Sequence, residues 1–153
     1  MTDVLTVTNR IAAIMDDISG VTLADDEYPT EFSGSNLPFC FVEEGPATFD
    51  SVDNNTVRVN QDWLLLLYVQ SFDDDVKSEE DAAYQAVRPF LTSVPQHFLN
   101  RTRLQRSDQG LTDVVRAFMS EHQGVQSASR HNVYYMGAAF TLTVTYDMRV
   151  DEI

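Results

Sequence analysis

Apolar residues near the start of the chain recur at helical spacing. They are three or four residues apart, at Val4, Val7, Ile11, Ile14 and Ile18. This period predicts an amphipathic helix within residues 2–18, with Thr2 as the expected cap and Gly20 after its end. The following stretch, 21–38, is rich in proline, glycine and acids, which indicates a loop with at most one short edge strand.

Strand patterns fill the middle of the chain. A short apolar run at Phe39–Val42 and an extended segment at Ala47–Asp50 are followed by turn residues at Asp53–Asn55. A long strand is predicted from Thr56 to Phe72. Asparagine tolerates the backbone that tight hairpins require, so an antiparallel meander is expected here.

A second helical pattern begins at Ser78, whose hydroxyl precedes three carboxylates. Pro89 and Pro95 each remove a hydrogen bond from this pattern, which predicts a bent helix or two pieces. Ser93 and Gln96 bracket Pro95 at the spacing of a capping box and favour a restart at Val94.

The last third of the chain ends in its clearest strand. Leu111–Met119 fits both a helix and a strand, and its period leaves the choice open. After a turn expected around Gly124, residues Val133–Val150 alternate between apolar and polar over 18 positions. At about 3.3 Å per residue this strand is severalfold longer than usual, so either Gly137 marks a bend or bulge, or the strand projects toward a neighbouring sheet.

The order of these elements predicts the fold class. We expect a single domain over 1–153 of the α+β class, a mainly antiparallel sheet with an N-terminal helix and a second, central, proline-bent helix packed on it. Residues Trp63–Gln70 are apolar on both faces of their strand. Cover for the second face could come from a subunit interface or from the interior of a monomer.

Charge narrows the possible partners. The formal net charge is −14, and the 24 acids face only 10 bases, of which Lys77 is the one lysine. Such a surface repels nucleic acid phosphates, and an excess of Asp with almost no Lys suggests a protein kept soluble in concentrated salt, from a halophilic source. The longest apolar run, Trp63–Val69, is far below the roughly 20 residues that span a bilayer, so no membrane role is expected.

Residues that could carry chemistry are scattered. The three histidines lack metal-ligand spacing, and Cys40 lies in a predicted buried strand, where a thiol is usually inert. The acids Asp73, Asp74 and Asp75 lack the pattern of a calcium loop, and the glycines form no phosphate-binding cluster. We therefore expect no enzyme activity, no catalytic residue, no metal and no cofactor.

The one basic concentration comprises Arg101, Arg103 and Arg106. It could contact phosphate or the acids of a neighbouring subunit. The overall negative charge and the lack of aromatic residues within it favour the protein partner.

Taken over nearly its full length, the chain resembles the tail terminator proteins of long-tailed double-stranded DNA viruses, also called tail completion or head-tail joining proteins. The segments that carry the resemblance are "IAAIMDDISGV", "YPTEFSGSNLPFCFVEEGPATFD", "VNQDWLLLLYVQSF", "EEDAAYQAVRPFLTSVPQHFL" and "VYYMGAAFTLTVTYDMRV". Tyr135, Gly137, Phe140 and Leu142 match the Tyr-x-Gly-x-x-Phe-x-Leu pattern typical of the family's closing strand.

The resemblance implies a structural virion protein. It would form a ring, usually a hexamer, at the head-proximal end of the tail tube, end tube growth and join the neck, while DNA passes through without sequence-specific binding. The implied partners are further copies of the chain, the tail tube protein and a neck or head completion protein, and the implied location is the virion tail after assembly in the host cytoplasm. The long acidic loops at 25–31 and 73–80 depart from the family.

Other assignments stay open beside this one. The chain could be another neck protein, such as a head completion or stopper protein, or a small acidic enzyme or ligand-binding domain. The candidate subunit or partner contacts are the three arginines and the three consecutive acids named above, together with three closing-strand residues: Tyr135, Thr141 and Thr143.

Overall fold

The computed structural model describes residues 2–28 and 36–149. Three helices and five strands follow in the order α1 (Val4–Asp16), β1 (Leu23–Asp25), β2 (Phe39–Ser51), β3 (Thr56–Phe72), α2 (Lys77–Val87), α3 (Phe90–Leu99), β4 (Val114–Arg130) and β5 (Val133–Arg149). The strands form one sheet in the order β1-β2-β3-β5-β4, in which only β1 and β2 run parallel. The expected α+β class, mainly antiparallel with an N-terminal and a broken central helix, is confirmed.

The first helix forms where its apolar period predicts it. Its N-terminal cap is Asp3, not Thr2, because the Asp3 carboxylate accepts the backbone N–H of Thr6 at 2.8 Å. This carboxylate also accepts from the Thr6 hydroxyl, and the backbone bond to Thr6 is the main reason that its pKa lies below the usual value. Gly20 follows the helix with a φ of +95°, a conformation that favours glycine.

In the first hairpin, which β2 and β3 form, β2 is longer than expected. β3 has the predicted bounds, whereas the two short segments expected before it form a single strand, β2, interrupted by an irregularity between Glu44 and Ala47. The short edge strand expected within 21–38 is β1, which covers only the first three residues of β2. Part of the acidic 25–31 loop lies outside the described residues.

The central helical pattern breaks at one proline and continues through the other. α2 ends at Val87, the chain resumes as α3 at Phe90, and Pro95 lies inside α3. The expected restart at Val94 is therefore wrong. A proline lacks an N–H and disturbs the helical turn that precedes it. The break falls at Arg88 and Pro89, and Pro95 lies in the second turn of the helix that starts after them.

The ambiguous stretch 111–119 resolves as the start of a strand, β4, which continues to Arg130. No turn occurs at Gly124, which lies within β4 at a register shift between His122 and Val125. The chain instead reverses at His131 and Asn132, both with positive φ, as a tight hairpin requires. β5 starts at Val133 as predicted, and the last predicted residue, Val150, lies outside the described residues.

All three helices pack on one face of the sheet. α1 lies on β1 and β2, α2 on β3 and β5, and α3 on β4. The sheet contributes alternate side chains to this core, with Trp63, Leu65, Phe140, Leu142 and Val144 all fully or almost fully buried. The strand alternation read from β5 is confirmed from Met136 to Tyr146.

One polar contact fixes α1 against the centre of the sheet. The indole N–H of Trp63 donates to Thr8 Oγ1 at 2.9 Å inside the core. The same hydroxyl oxygen lies 2.8 Å from both the Val4 carbonyl oxygen and a Glu44 carboxylate oxygen. Because the indole N–H is satisfied by a helix residue, the register of α1 on β3 is specified by more than apolar packing.

Candidate functional site: the open face of the sheet

The face of the sheet opposite the helices is the largest candidate site. Its side chains alternate with the core residues, so Leu64 and Leu66 in β3 point away from the helices and are half-buried. Register places Phe41, Leu66 and Ala139 in one row across β2, β3 and β5. An apolar row therefore crosses the middle of this face, which we call the open face.

Beside the apolar row, the open face carries polar side chains that bond to one another. Thr143 Oγ1 donates to Asp62 at 2.8 Å and lies 3.2 Å from Ser120 Oγ, and Thr145 Oγ1 donates to Asn60 at 2.7 Å. These bonds link β3, β4 and β5 on this face. Thr143, a predicted contact residue, thus has partners within its own chain.

A row further along ends in acidic residues at both edges of the sheet. Register aligns Glu43, Leu64, Thr141 and Glu121 across the four long strands. Thr141, another predicted contact residue, is half-buried here beside Leu64. The open face is therefore apolar at its centre and negative at its margins.

Aromatic rings close one end of the open face. Tyr28 stacks on Phe41 with ring centroids 4.2 Å apart, and the Tyr28 and Tyr68 hydroxyls lie 3.1 Å apart. The Arg130 guanidinium lies 3.5 Å above the Tyr28 ring. Burial and the hydrogen bond with Tyr68 raise the pKa of Tyr28 well above its usual value.

Tyr135 belongs to this aromatic group. Its ring meets that of Tyr68 edge-on at 6.0 Å, and only 4% of the residue is exposed. The structure therefore places Tyr135 inside the subunit. Any contact with a partner at this position would need the aromatic group to rearrange.

The three clustered arginines bind their own chain. Arg106 makes a two-pronged ion pair with Asp17 at 2.8 and 2.9 Å, and Arg103 donates to the Thr112 carbonyl at 2.8 Å. Arg101 donates to the carbonyl of His97. The Arg106–Asp17 pair ties the loop between α3 and β4 to the end of α1, whereas the other two contacts lie within residues 97–112. The expected role of these side chains in a subunit contact stays a prediction.

A second ion pair strengthens the same loop. Arg10 of α1 donates to Asp108 at 2.9 Å, and the same carboxylate accepts the backbone N–H groups of Gly110 and Arg106. The bond from Arg10, followed by these backbone bonds, lowers the pKa of Asp108 far below its usual value. Leu104, fully buried at a φ of +56°, anchors the loop from inside.

The run Asp73–Asp75 is exposed at the end of β3, before α2. Its carboxylate oxygens lie within 4.8 Å of one another, and Asp73 accepts the backbone N–H of Asp75 at 3.0 Å. The structure thus shows a solvent-facing turn that leads into a helix. An exposed acidic group of this kind is common on a strongly acidic chain.

The groups considered for catalysis lie on different elements of the fold. Cys40 is fully buried in β2, and burial raises the pKa of its thiol far above the usual value for cysteine. His97 lies in α3, where burial and then the charge of Arg101 lower its pKa. His122 is in β4 and His131 in the turn after it.

Comparison with known proteins adds no assignment, since no family model matches the chain and no curated protein matches it. Within residues 2–28 and 36–149, no helix is long and apolar enough to cross a membrane.

The sequence predicted only part of the open face. The apolar residues on both faces of Trp63–Gln70 indicated that a second cover was needed. The aromatic group was missed, because Tyr28 lies 40 residues before Tyr68 and no local pattern joins them. The intramolecular partners of the arginines were missed for the same reason.

Proposed function

We propose that this chain is a structural subunit that associates with copies of itself into a ring at the head-proximal end of a viral tail tube. The ring ends tube growth and joins the tail to the neck of the head, and it makes or breaks no covalent bond. The observation that carries the proposal is the open face, with an apolar centre that the helices within residues 2–28 and 36–149 leave uncovered.

The apolar centre matters because an antiparallel sheet can keep one face in water only when that face is polar. Here Leu64 and Leu66 lie half-buried in the central strand, with Phe41 beside them in β2. Covering such side chains stabilises an association by roughly 25 cal/mol for each Å² of apolar area removed from water. A second subunit or the tube end would supply that cover.

The charge of the chain suits a passage for DNA. A net charge of −14 and acidic residues at the margins of the open face repel phosphate groups. A ring with negative walls would let a polyanion pass without holding it. The same surplus of Asp over Lys would keep the subunit soluble in concentrated salt, as expected for a virus of a halophilic host.

Exposed apolar residues of the β2–β3 hairpin also favour a role within an assembly. At the tip of the β2–β3 hairpin, Phe49 and Val52 are 62% and 51% exposed. Exposed apolar groups on a projecting hairpin are typical of contacts with a partner. A head completion or stopper protein of the neck would share these features, and only the choice of partner separates the two assignments.

The experiment is native mass spectrometry and light scattering of the purified protein in high salt, alone and with tail tube protein. We expect a closed ring, or a monomer that becomes a ring on tube ends. Association with neck protein only would replace the terminator assignment by the neck assignment. A monomer that binds neither protein would refute a role at the tail.

Two matched variants connect the result to the open face. Leu64→Asp places a charge at the apolar centre, and Leu5→Asp places the same charge on α1 at a residue that is 57% exposed. Both should remain folded by circular dichroism, and only Leu64→Asp should abolish the ring. Equal assembly of the two variants would show that the open face is not the interface.

A further inference from the structure

One stretch of sheet edge lacks the features that protect the others. Val125–Ser129 in β4 contains no charged residue and no proline, and its residues after Val125 are exposed. Its pairing with β5 is regular from Val125 to Arg130. Among residues 2–28 and 36–149, no backbone hydrogen bond reaches the outer side of this stretch.

The remaining edges are covered or defended. β1 pairs with Phe39–Phe41 at the start of β2, and further along that edge come Glu43, Glu44, Pro46 and Asp50. The start of β4 is covered by the preceding loop, because Ala117 donates its N–H to the Thr102 carbonyl at 2.7 Å. Charges, prolines and covering loops are the usual means of preventing strand addition, and Val125–Ser129 has none of them.

A hollow on the open face adjoins this free edge. It measures about 70 Å³ and is lined in part by Gln126 and Ala128 of β4, Leu66 and Tyr68 of β3, and Ala139 of β5. The space exists because Gly137 and the two alanines fill little volume in the middle of the sheet. Its lining carries no charge, so it fits an apolar side chain.

We propose that Val125–Ser129 and this hollow bind an extended segment of a partner protein by strand addition. In this mode, backbone hydrogen bonds to the free edge supply affinity, and the hollow receives one apolar side chain of the segment and supplies specificity. The inference goes beyond the ring assignment, since it names a further partner that binds through the edge of β4, and it shares with the proposed ring interface only the hollow on the open face.

The charges around the free edge indicate which kind of partner segment binds there. Glu121 precedes the free edge, and Asp73, Asp74 and Glu79 line a depression together with Val133 and Tyr134 beyond the hairpin turn. Acidic groups therefore lie past both ends of the free edge on a chain of net charge −14, while the guanidinium of Arg130, directly after the edge, lies over the Tyr28 ring. The partner segment is apolar at its centre and basic at its ends, because like charges opposed across strands are unfavourable.

The test uses a synthetic fluorescent peptide, Lys-Thr-Val-Thr-Val-Thr-Val-Thr-Lys, and the full chain. Binding is followed by fluorescence anisotropy and by changes in the amide NMR signals of the protein. Two control peptides are the same sequence with proline for the central valine and the same sequence with Glu for both lysines. We expect the first peptide to bind, with changes centred on Val125–Ser129, and each control to bind at least about tenfold more weakly.

Two protein variants carry the same added charge on one strand. Ala128→Lys places an ammonium at the hollow, and Ser120→Lys places it on an exposed residue outside the free edge. Ala128→Lys should weaken binding at least about tenfold, while Ser120→Lys stays within about twofold of the wild type. Because Ala128 and Ser120 both lie on the open face, ring formation of each variant is measured separately by light scattering.

Three outcomes would overturn the inference. The first is no binding at about 1 mM peptide. The second is a set of NMR changes that lies outside Val125–Ser129. The third is a dependence of these amide signals on protein concentration without peptide, which would assign the edge to a second copy of the chain. A failed ring assay with successful peptide binding would reject the proposed function and retain this site.

Discussion

Gly137→Ala tests whether the register of the two central strands depends on one missing side chain. Gly137 is buried in β5 opposite Tyr68, next to the bulge in β3 between Tyr68 and Gln70. A Cβ at this position would overlap the carbonyl oxygen of Leu67, and would lie 3.0 Å from its carbonyl carbon and 3.3 Å from the Tyr68 Cα. These are backbone atoms, which cannot rotate away.

The expected loss follows from this overlap. Forcing extra volume into a packed region costs about 1–3 kcal/mol, and separating the strands weakens one or two backbone hydrogen bonds at about 1 kcal/mol each. We expect Gly137→Ala to lower the free energy of unfolding by about 2–5 kcal/mol, a large part of a typical total of about 5–15 kcal/mol. For a chain of this length the melting temperature should fall by on the order of 10 °C.

The assay is denaturant unfolding followed by circular dichroism, with Gly124→Ala as the control. Gly124 also lies in a strand, but it has a φ of +80° and no atom within 4 Å of an added Cβ. Its substitution should cost only the backbone strain of about 1–2 kcal/mol. Equal losses for the two variants, or a loss below about 1 kcal/mol for Gly137→Ala, would refute the reasoning from close approach.

Two further predictions concern the contacts that hold α1 in place. Thr8→Val removes the acceptor of the buried Trp63 N–H and should lower the free energy of unfolding by about 1–3 kcal/mol. Thr48→Val, on the exposed part of β2, should leave it nearly unchanged. Thermal and urea unfolding would measure both. Asp108→Asn should reduce the loss of stability on acidification. The pKa of Asp108 is lowered in the folded state, so the contribution of its carboxylate to the free energy of unfolding is complete above the ordinary pKa of 3.8 and is lost as the pH falls below 3.8. Unfolding midpoints between pH 7 and pH 2 would check this, with Asp81→Asn as the control on a carboxylate 3.8 Å from Lys77; an unchanged pH profile for Asp108→Asn would contradict the assigned ion pair.

Local patterns were sufficient for the elements that depend on near neighbours. The bounds of β3 and the start of β5 followed from alternation, because successive side chains of a strand point to opposite faces. The capping error at Thr2 came from two neighbouring polar residues, either of which could cap the helix, and the restart error at Val94 came from two prolines, either of which could break it. In both cases the choice depends on which backbone group is left without a partner.

The candidate site shows the limit of local patterns more clearly. Thr141 and Thr143 could be placed on the polar face of β5 from the sequence, and the structure puts both on the open face. Arg106 could not be assigned to Asp17, since 89 residues separate them along the chain. Hydrogen-bond partners at such separation are brought together only by packing.

The sequence by itself determined the class of the fold, the strand that needs cover on two faces, and a surface charge that repels phosphate. Each of these depends on period or composition, which act without knowledge of distant residues. Only the tertiary structure decided that 114–130 is one edge strand, that Tyr135 is buried, and that Val125–Ser129 keeps a free edge. The reason is physical: a strand's edge is free or covered according to which neighbour it pairs with, and strand neighbours are chosen by the whole sheet.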